Sequence, residues 1–379
     1  MRVIHIFSAL YQGGAESQLE RLIYASDNIE HIVISLSNVR TNLSNRLEER
    51  GVLVIYCGIG YNPVGILKLR KILKKKIIPD TVVQCWMYHA NLIGWLSLVG
   101  VKVPIFWNIR RSVIPNGFTG LVSMVSSIIS RFSKVKIFCN SKSGIDSHIK
   151  SGYCKEKFAY VPNGFFKPSK VFDISAYEST INSNNINICC VGRFHHDKGQ
   201  DLLLDAICLI KDELGESLWN RVRFYFIGRG FRESKKIKSI VQEYDLSENV
   251  FFLGELGDVD NILRRMDIFC LPSRTEGFPN VLVEAMFAGL PCVSTNVGDV
   301  KEILPENNVI VKPKSSSELA FGILSFINAT DEVRNEIGQK NREYVNKNFD
   351  IHITSSIYFK NYQKVLISNL NRGQNDCKK

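Results

Sequence analysis

Two acids and two cations stand where their types and spacing could do chemistry. Glu276 and Glu284 lie in SRTEGFPNVLVEAMFAGLPCVSTNVGDVKEIL, residues 273–304, and Arg193 and Lys198 in VGRFHHDKGQDLLLDA, residues 191–206. Glu276 falls in the loop after an apolar run, where a carboxylate can accept hydrogen bonds from sugar hydroxyls. Glu284 falls just over one turn into the helix that should follow, where it can take both hydroxyls of a ribose. Gly277 lets the backbone approach a ligand closely, and Pro279 suits the first turn of a helix, where its missing N–H is not needed. The backbone N–H groups of Gly277, Phe278, Asn280 and Val281 would then face a ligand, and such a helix start attracts phosphate or carboxylate. Arg193 can grip diphosphate oxygens in a bidentate manner, and Lys198 adds a compact charge. Each charge-assisted contact is worth roughly 1.5–3 kcal/mol, so the two can neutralise a leaving diphosphate where other enzymes use Mg²⁺. The plain alternatives are a helix-capping Glu276, a solvated Glu284, and two surface cations packed on Asp197 and Asp201.

Two runs of alternating elements must position these groups. In the first half, the apolar runs at 2–10, 31–36, 52–57, 81–86, 103–109, 136–141 and 158–163 are separated in part by helical patterns at 15–25, about 43–50, 66–76 and 90–98. Residues 167–186 are rich in Ser and Asn and lack periodicity, which reads as a linker. A second alternation follows, with strands at 186–192, 223–228, 250–254, 267–273, 291–295 and 308–313. Helices are expected near 199–209, 234–244, 259–265, 280–288 and 316–327, and a tail helix from 353 to 370 carries Tyr358, Tyr362 and Leu366 on one stripe. Strand–helix–strand order predicts parallel sheets with helices on both faces. The fold class is therefore α/β, with two doubly wound Rossmann-like domains, 1–167 and 186–352, joined by a linker at 168–185 and facing across a cleft. The tail helix is expected to pack back on the first domain. Ligands of such sheets bind beyond the carboxyl ends of the strands.

Composition narrows the class. The chain has 379 residues, 45% of them hydrophobic and 22% charged, which suits two globular domains rather than a disordered chain. No run of apolar residues is long enough to span a bilayer, and 1–10 reads as a strand without a signal-peptide cleavage pattern, so a cytoplasmic location is expected. Ten cysteines stand singly or as Cys189-Cys190 with no C-x-x-C pair, which argues against a zinc or redox site and for buried thiols. Residues 1–180 hold 23 Lys+Arg and 11 Asp+Glu, a net of +12, so the whole +11 excess lies in the first half. A basic surface there favours an anionic partner, acidic lipid, lipid-diphosphate or nucleic acid; the helix around Lys68, Arg70, Lys71, Lys74, Lys75 and Lys76 is amphipathic, which suits contact with an anionic membrane surface or, plainly, a solvated lysine face. No nucleic-acid-binding module is present, so nucleic acid is not an expected partner.

The phrase E-G-F-P-N-V-L-V-E-A-M-x-A-G-x-P-C-V-x-T-x-V-G-D with the upstream G-R-F-x-x-x-K-G resembles the family 4 glycosyltransferases, retaining enzymes of the GT-B fold. GGAE (13–16), WMYHANLIGWL (86–96), FWNIRRS (106–112), GYCKEKFAYVPNGF (152–165), FIGRG (226–230) and FFLGELGDV (251–259) extend the likeness along the chain. WMYHANLIG followed by WNIRRS is similar to the branch that builds bacterial surface polysaccharides: O-antigen of lipopolysaccharide, capsule or exopolysaccharide.

The resemblance implies transfer of a sugar from a UDP- or GDP-sugar to a lipid-linked or saccharide acceptor, on the inner face of the cytoplasmic membrane, without a metal or other cofactor. It implies that Arg193 and Lys198 bind the diphosphate, Glu276 the donor sugar, the backbone of Gly277, Phe278, Pro279 and Asn280 the sugar and β-phosphate, and Glu284 the ribose. Gly228 and Gly254 would lie near the base, Gly13 and Gly14 would close on the phosphates, and His89 would contact the donor sugar. Trp86 stands where some branches carry another histidine, His195 and His196 read as surface, and Arg110 and Arg111 are candidates for the acceptor by charge and placement. A dinucleotide-dependent oxidoreductase is the alternative enzyme, but GGAE after the first strand is not the G-x-G-x-x-G fingerprint. A non-catalytic membrane-associated binding protein is the other alternative.

Overall fold

The alternating runs form two all-parallel sheets in a computed structural model of the chain, which describes residues 1–11, 13–59, 62–167, 181–231, 234–257 and 259–376, without the side chains of 235, 236 and 369–376. The chain divides into two units, Met1–Phe165 with Ile351–Lys379, and Phe166–Asp350. Of the stretch expected as a linker, 168–180 lie outside the described residues, and the backbone turns at Asn182, whose carbonyl accepts from the Asn185 N–H at 3.1 Å.

The first sheet contains β1 (Arg2–Phe7), β2 (Glu30–Ser35), β3 (Leu53–Tyr56), β4 (Thr81–Trp86), β5 (Ile105–Ile109), β6 (Lys136–Cys139) and β7 (Phe158–Tyr160) in the order β3-β2-β1-β4-β5-β6-β7. In register, Ile4 of β1 lies between Ile32 of β2 and Val83 of β4. The helices of this unit are α1 (Gly14–Tyr24), α2 (Asn42–Glu49), α3 (Pro63–Lys76), α4 (Met87–Ser97), α5 (Gly117–Phe132) and α6 (Lys142–Lys150). α3 starts where Asn62 Oδ1 accepts from the Gly65 N–H and Pro63 takes the first helical position. Central strands of a parallel sheet are covered on both faces, so they read as unbroken apolar runs. α3, α4 and α5 cover one face, around Leu69, Leu73, Ile93, Trp107 and Val122. The other face is covered by α1, α2 and the tail helix Ile351–Asp376. Tyr358 and Tyr362 of the tail are fully buried, with rings edge-on to Phe138 and Phe106, each at 4.9 Å.

Five groups form a directional chain through this second core. Trp86 Nε1 donates to His5 Nδ1 at 3.2 Å, His5 Nε2 meets His31 Nδ1 at 3.0 Å, and His31 Nε2 meets Ser26 Oγ at 2.8 Å. Ser26 Oγ donates onward to the Leu22 carbonyl at 2.6 Å. Because the indole can only donate, both histidines must be neutral with the proton on Nε2 for every link to be made. Burial, followed by the neighbouring His31, holds His5 well below the usual imidazole range, and burial brings His31 down to about 4.

The second sheet holds β8 (Ile186–Val191), β9 (Val222–Ile227), β10 (Val250–Gly254), β11 (Ile268–Leu271), β12 (Cys292–Thr295) and β13 (Val309–Val311) in the order β10-β9-β8-β11-β12-β13. Its core runs from Ile188, Phe224 and Phe226 to Leu203 and Ile207 of the helix Gln200–Glu213 and Leu319 and Ile323 of the helix Ser316–Ile327. A further helix, Asp331–Asn348, packs on the helix Asn280–Ala288. Among the described residues nine cysteines are free thiols, and no helix is long and apolar enough to cross a membrane.

An unfolded histidine takes up a proton near pH 6.5, whereas folded His31 resists until about 4, so between those values the unfolded state binds more protons. Stability should therefore be complete above the upper value and fall as the pH drops toward the lower one. At about pH 5 the loss from His31 alone should be about 2 kcal/mol. Urea unfolding midpoints at neutral and acidic pH measure it, and His31→Asn should lose that share of the pH dependence.

Candidate functional site

In each sheet the strand order reverses beside the first strand, between β1 and β4 and between β8 and β11. At such a switch point the loops leaving the two strands diverge to opposite faces and open a crevice at the carboxyl edge. In the second unit those loops are 192–199 and 272–279, the two stretches that carry the selected charges. Lys198 ends the short turn His196–Lys198 just before the helix Gln200–Glu213. Its Nζ lies 2.7 Å from Glu276 Oε1, and Ser273 Oγ donates to the same oxygen at 2.7 Å. Cys190 lies beneath the pair: burial pushes its thiol up to about 12, with Lys198 pulling it down and Glu276 pushing it further up.

A second tie holds the loops together. Arg274 donates Nη1 and Nη2 to the two oxygens of Asp201 at 2.7 and 2.9 Å, and Nη1 also to the His196 carbonyl at 2.8 Å. The Arg274 backbone N–H donates to the Asp197 carbonyl at 2.7 Å. Asp201, offered by the sequence as a partner for Arg193 and Lys198, is thus engaged by Arg274. Gly199 sits at φ +63°, and a Cβ there would lie 2.0 Å from the Pro272 carbonyl oxygen, so no side chain fits between the loops. Arg193 is exposed, with its carbonyl held by Gln200 Nε2 at 2.9 Å. Gly228, at the end of β9, approaches the Gly192 carbonyl so closely that a Cβ would lie 2.3 Å from its oxygen. Its N–H donates to the carbonyl of Gly254, the last residue of β10, at 2.7 Å.

The helix Asn280–Ala288 spans the expected residues, but Pro279 is its cap rather than part of its first turn, with φ −74° and ψ 95° and no side-chain hydrogen bond of its own. Proline has no N–H to lose at either position, so the first-turn donors are those of Asn280 and its successors. Phe278 and Pro279 are buried, the Phe278 ring lying edge-on to Phe349 at 5.6 Å. The Gly277 carbonyl accepts from the Asp299 N–H at 3.0 Å. Glu284, half-buried, lies in the second turn of that helix.

In the first unit Gly13 caps α1 and Gly14 is its first residue. Glu16 folds back beside Gly13; burial raises its pKa, while its own backbone N–H and Arg110 lower it. Arg110 turns inward, donating to Asn108 Oδ1 at 3.3 Å, to the Tyr358 hydroxyl at 3.1 Å and, in a short contact, to Asn163 Oδ1. Its guanidinium lies 5.4 Å from the centre of the Trp86 ring. Arg111 is exposed. His89, in the first turn of α4, pairs through Nε2 with Thr119 Oγ1 at 3.0 Å and stacks on Phe118 at 5.7 Å, and burial lowers its pKa. Trp86 is buried in the histidine chain.

The selected residues thus come together as Lys198 with Glu276 of the loop before the helix Asn280–Ala288, while Arg110 is bound into the core of its own unit. Three residues had no assigned role in the sequence. Ser273 and Arg274 stand in the quoted phrase, Ser273 three positions from its partner Glu276 and Arg274 far along the chain from Asp201; Glu16 stands in GGAE, where only the glycines were selected. Among the described residues no group of three or more His, Cys, Asp or Glu is placed to hold a metal ion.

Two Rossmann-like units with these loops at their carboxyl edges have the architecture of the GT-B fold. Residues 172–344, a little under half of the chain, match the family Glycosyl transferases group 1, and the match supports a glycosyltransferase of the family 4 type. It is similar to the capsular polysaccharide biosynthesis glycosyltransferase CapH of Staphylococcus aureus, with 28% identity over 309 residues, 80% of this chain and 83% of the relative. It is also similar to an uncharacterized glycosyltransferase of Methanocaldococcus jannaschii, with 25% identity over 350 residues, 89% of this chain and 91% of the relative. The fold resembles that of Anabaena HepE in complex with UDP, with a TM-score of 0.82 at 20% identity, covering 96% of this chain and all of that one. HepE has also been solved in complex with UDP-glucose.

Gly199→Ala should destabilise the second unit by about 2 kcal/mol or more, since the added methyl group meets a backbone carbonyl at a left-handed φ. A lowered thermal midpoint measured by circular dichroism checks this.

Proposed function

We propose that this glycosyltransferase moves a sugar from a UDP- or GDP-sugar, with retention of anomeric configuration and without a metal ion, to a lipid-linked or saccharide acceptor in bacterial surface-polysaccharide biosynthesis. The observation that carries the reading is the 2.7 Å pair of Lys198 with Glu276, which stands in the loop that leads into the helix Asn280–Ala288. With no donor bound, the ammonium and the carboxylate neutralise each other. An arriving diphosphate competes for Lys198, and Glu276 is released toward the sugar hydroxyls. Arg193 adds a second cation and the first-turn N–H groups of Asn280 and its successors a third source of positive potential. Glu284 takes the ribose hydroxyls. His89, Gly13 and Gly14 keep the donor-contacting roles that the resemblance implies, and Arg111 is assigned to the acceptor.

The reaction breaks the bond from the anomeric carbon to the diphosphate and forms one from the same face to the acceptor oxygen, whose proton passes to the leaving phosphate. Catalysis is then chiefly electrostatic, with fixed cations and helix N–H groups aimed at charge that develops on the diphosphate. The name of CapH supports a capsule-type product, and the HepE complexes support a uridine nucleotide donor. The basic first half supports work at an anionic membrane surface.

Purified protein should release nucleoside diphosphate from its donor with EDTA present, and NMR of the product should show the donor's anomeric configuration. Lys198→Ala should slow release at least tenfold, about 1.4 kcal/mol of transition-state stabilisation, with an unchanged melting temperature. Full activity in that variant would overturn the assignment.

A further inference from the structure

α5 is built inside out. Its outward stripe is Phe118, Leu121, Met124, Ile128 and Phe132, exposed by 59, 51, 54, 53 and 86%. Steps of three and four residues put these five on one face. Its inward face buries Ser123, Ser126, Ser127 and Ser130, whose hydroxyls are satisfied locally: Ser126 by the Val122 carbonyl at 2.8 Å, Ser123 by the Tyr153 hydroxyl at 3.1 Å. A surface helix of a soluble protein normally buries its apolar stripe. An apolar face left outward on this scale marks an interaction surface.

The neighbouring helices continue it. α4 packs against both α3 and α5, so the three form one layer over the sheet. On α3, Val64 and Leu67 are exposed by 75 and 64%, beside the exposed Lys68, Lys71, Lys74 and Lys75. Residues 57–145, which supply this layer, hold 13 Lys+Arg, of which Arg110 turns into the core, against a single acid, Asp80. That charge decides the occupant. A second copy of the chain would bring like charges together, whereas an anionic bilayer offers both a hydrocarbon boundary for the stripe and phosphates for the lysines.

We propose that the outward side of α3, α4 and α5 seats the enzyme on an anionic lipid bilayer, with the apolar stripe of α5 entering the headgroup layer. The first turn of α5 then links the bilayer to the site, because Phe118 stacks on His89 and Thr119 holds its Nε2 at 3.0 Å. The purpose of the seat, delivery of a lipid-linked acceptor to His89, rests on the glycosyltransferase reading; the docking itself does not.

The test is flotation of the full chain with phosphatidylcholine vesicles made with and without phosphatidylglycerol, at low and high salt. The wild type should float with the anionic vesicles at low salt, and Ile128→Glu/Phe132→Glu about tenfold less, with wild-type melting and wild-type nucleotide release in solution. The proposal is overturned if the wild type stays at the bottom, or if the double variant floats as well as the wild type. It is also overturned if light scattering shows a wild-type dimer that the variant abolishes, since the face would then serve self-association. A wild type that floats but releases no nucleotide from any donor refutes the glycosyltransferase reading and leaves the docking intact.

Discussion

One constraint governs the second unit: two loops that leave neighbouring strands in opposite directions must still bring a cation and a carboxylate within hydrogen-bond distance. The divergence comes from the strand order around β8 and β11, and the convergence from contacts between the loops. Arg274 and Asp201 clamp the loop bases, Gly199 leaves room for the Pro272 carbonyl, and Ser273 aims Glu276 at Lys198. The clamp fixes backbone, so the reacting side chains need only small rotations. A site assembled this way is preorganised for charge that arrives with the substrate, and water need not be reoriented when it does.

Much of this was legible in the chain because parallel sheets advertise themselves. Strands buried on both faces become unbroken apolar runs, and the runs at 81–86 and 186–192 mark β4 and, to within one residue, β8. The helix after Glu276 was legible from Pro279, within one residue of its start. The nine-residue α6 was not, and neither were two longer helices. No helix was assigned to 117–132, because α5 points its apolar residues outward and fills its inward face with serine, so the usual pattern is inverted. None was assigned to 331–348 either. That helix buries Arg334, Gly338 and Asn341 and docks through hydrogen bonds, Asn341 to the Leu290 carbonyl at 2.7 Å and Arg334 to the Phe326 carbonyl at 2.8 Å. A polar seam has no hydrophobic period to read.

The site was legible in the same uneven way. Residue types and positions after strands pointed to Lys198 and Glu276, since each chemistry needs its side chain at a carboxyl edge. Their supports were hidden, because a partner 73 positions away, as Arg274 is from Asp201, leaves no local signal. Arg110 shows the opposite error. A charge beside candidate chemistry looked available, yet it is used in the core to hold Tyr358 and Asn163.

The tail helix has a consequence for biosynthesis. Tyr358 and Tyr362 close a core whose other members, Phe106 and Phe138, leave the ribosome more than two hundred residues earlier. The half of the protein that emerges first is therefore the last to be finished. Until translation has passed through the intervening unit, an aromatic face of the first sheet stays open, and a chain cut short after residue 350 never closes it. Nascent chains stalled in that interval are where holding chaperones would find their footing.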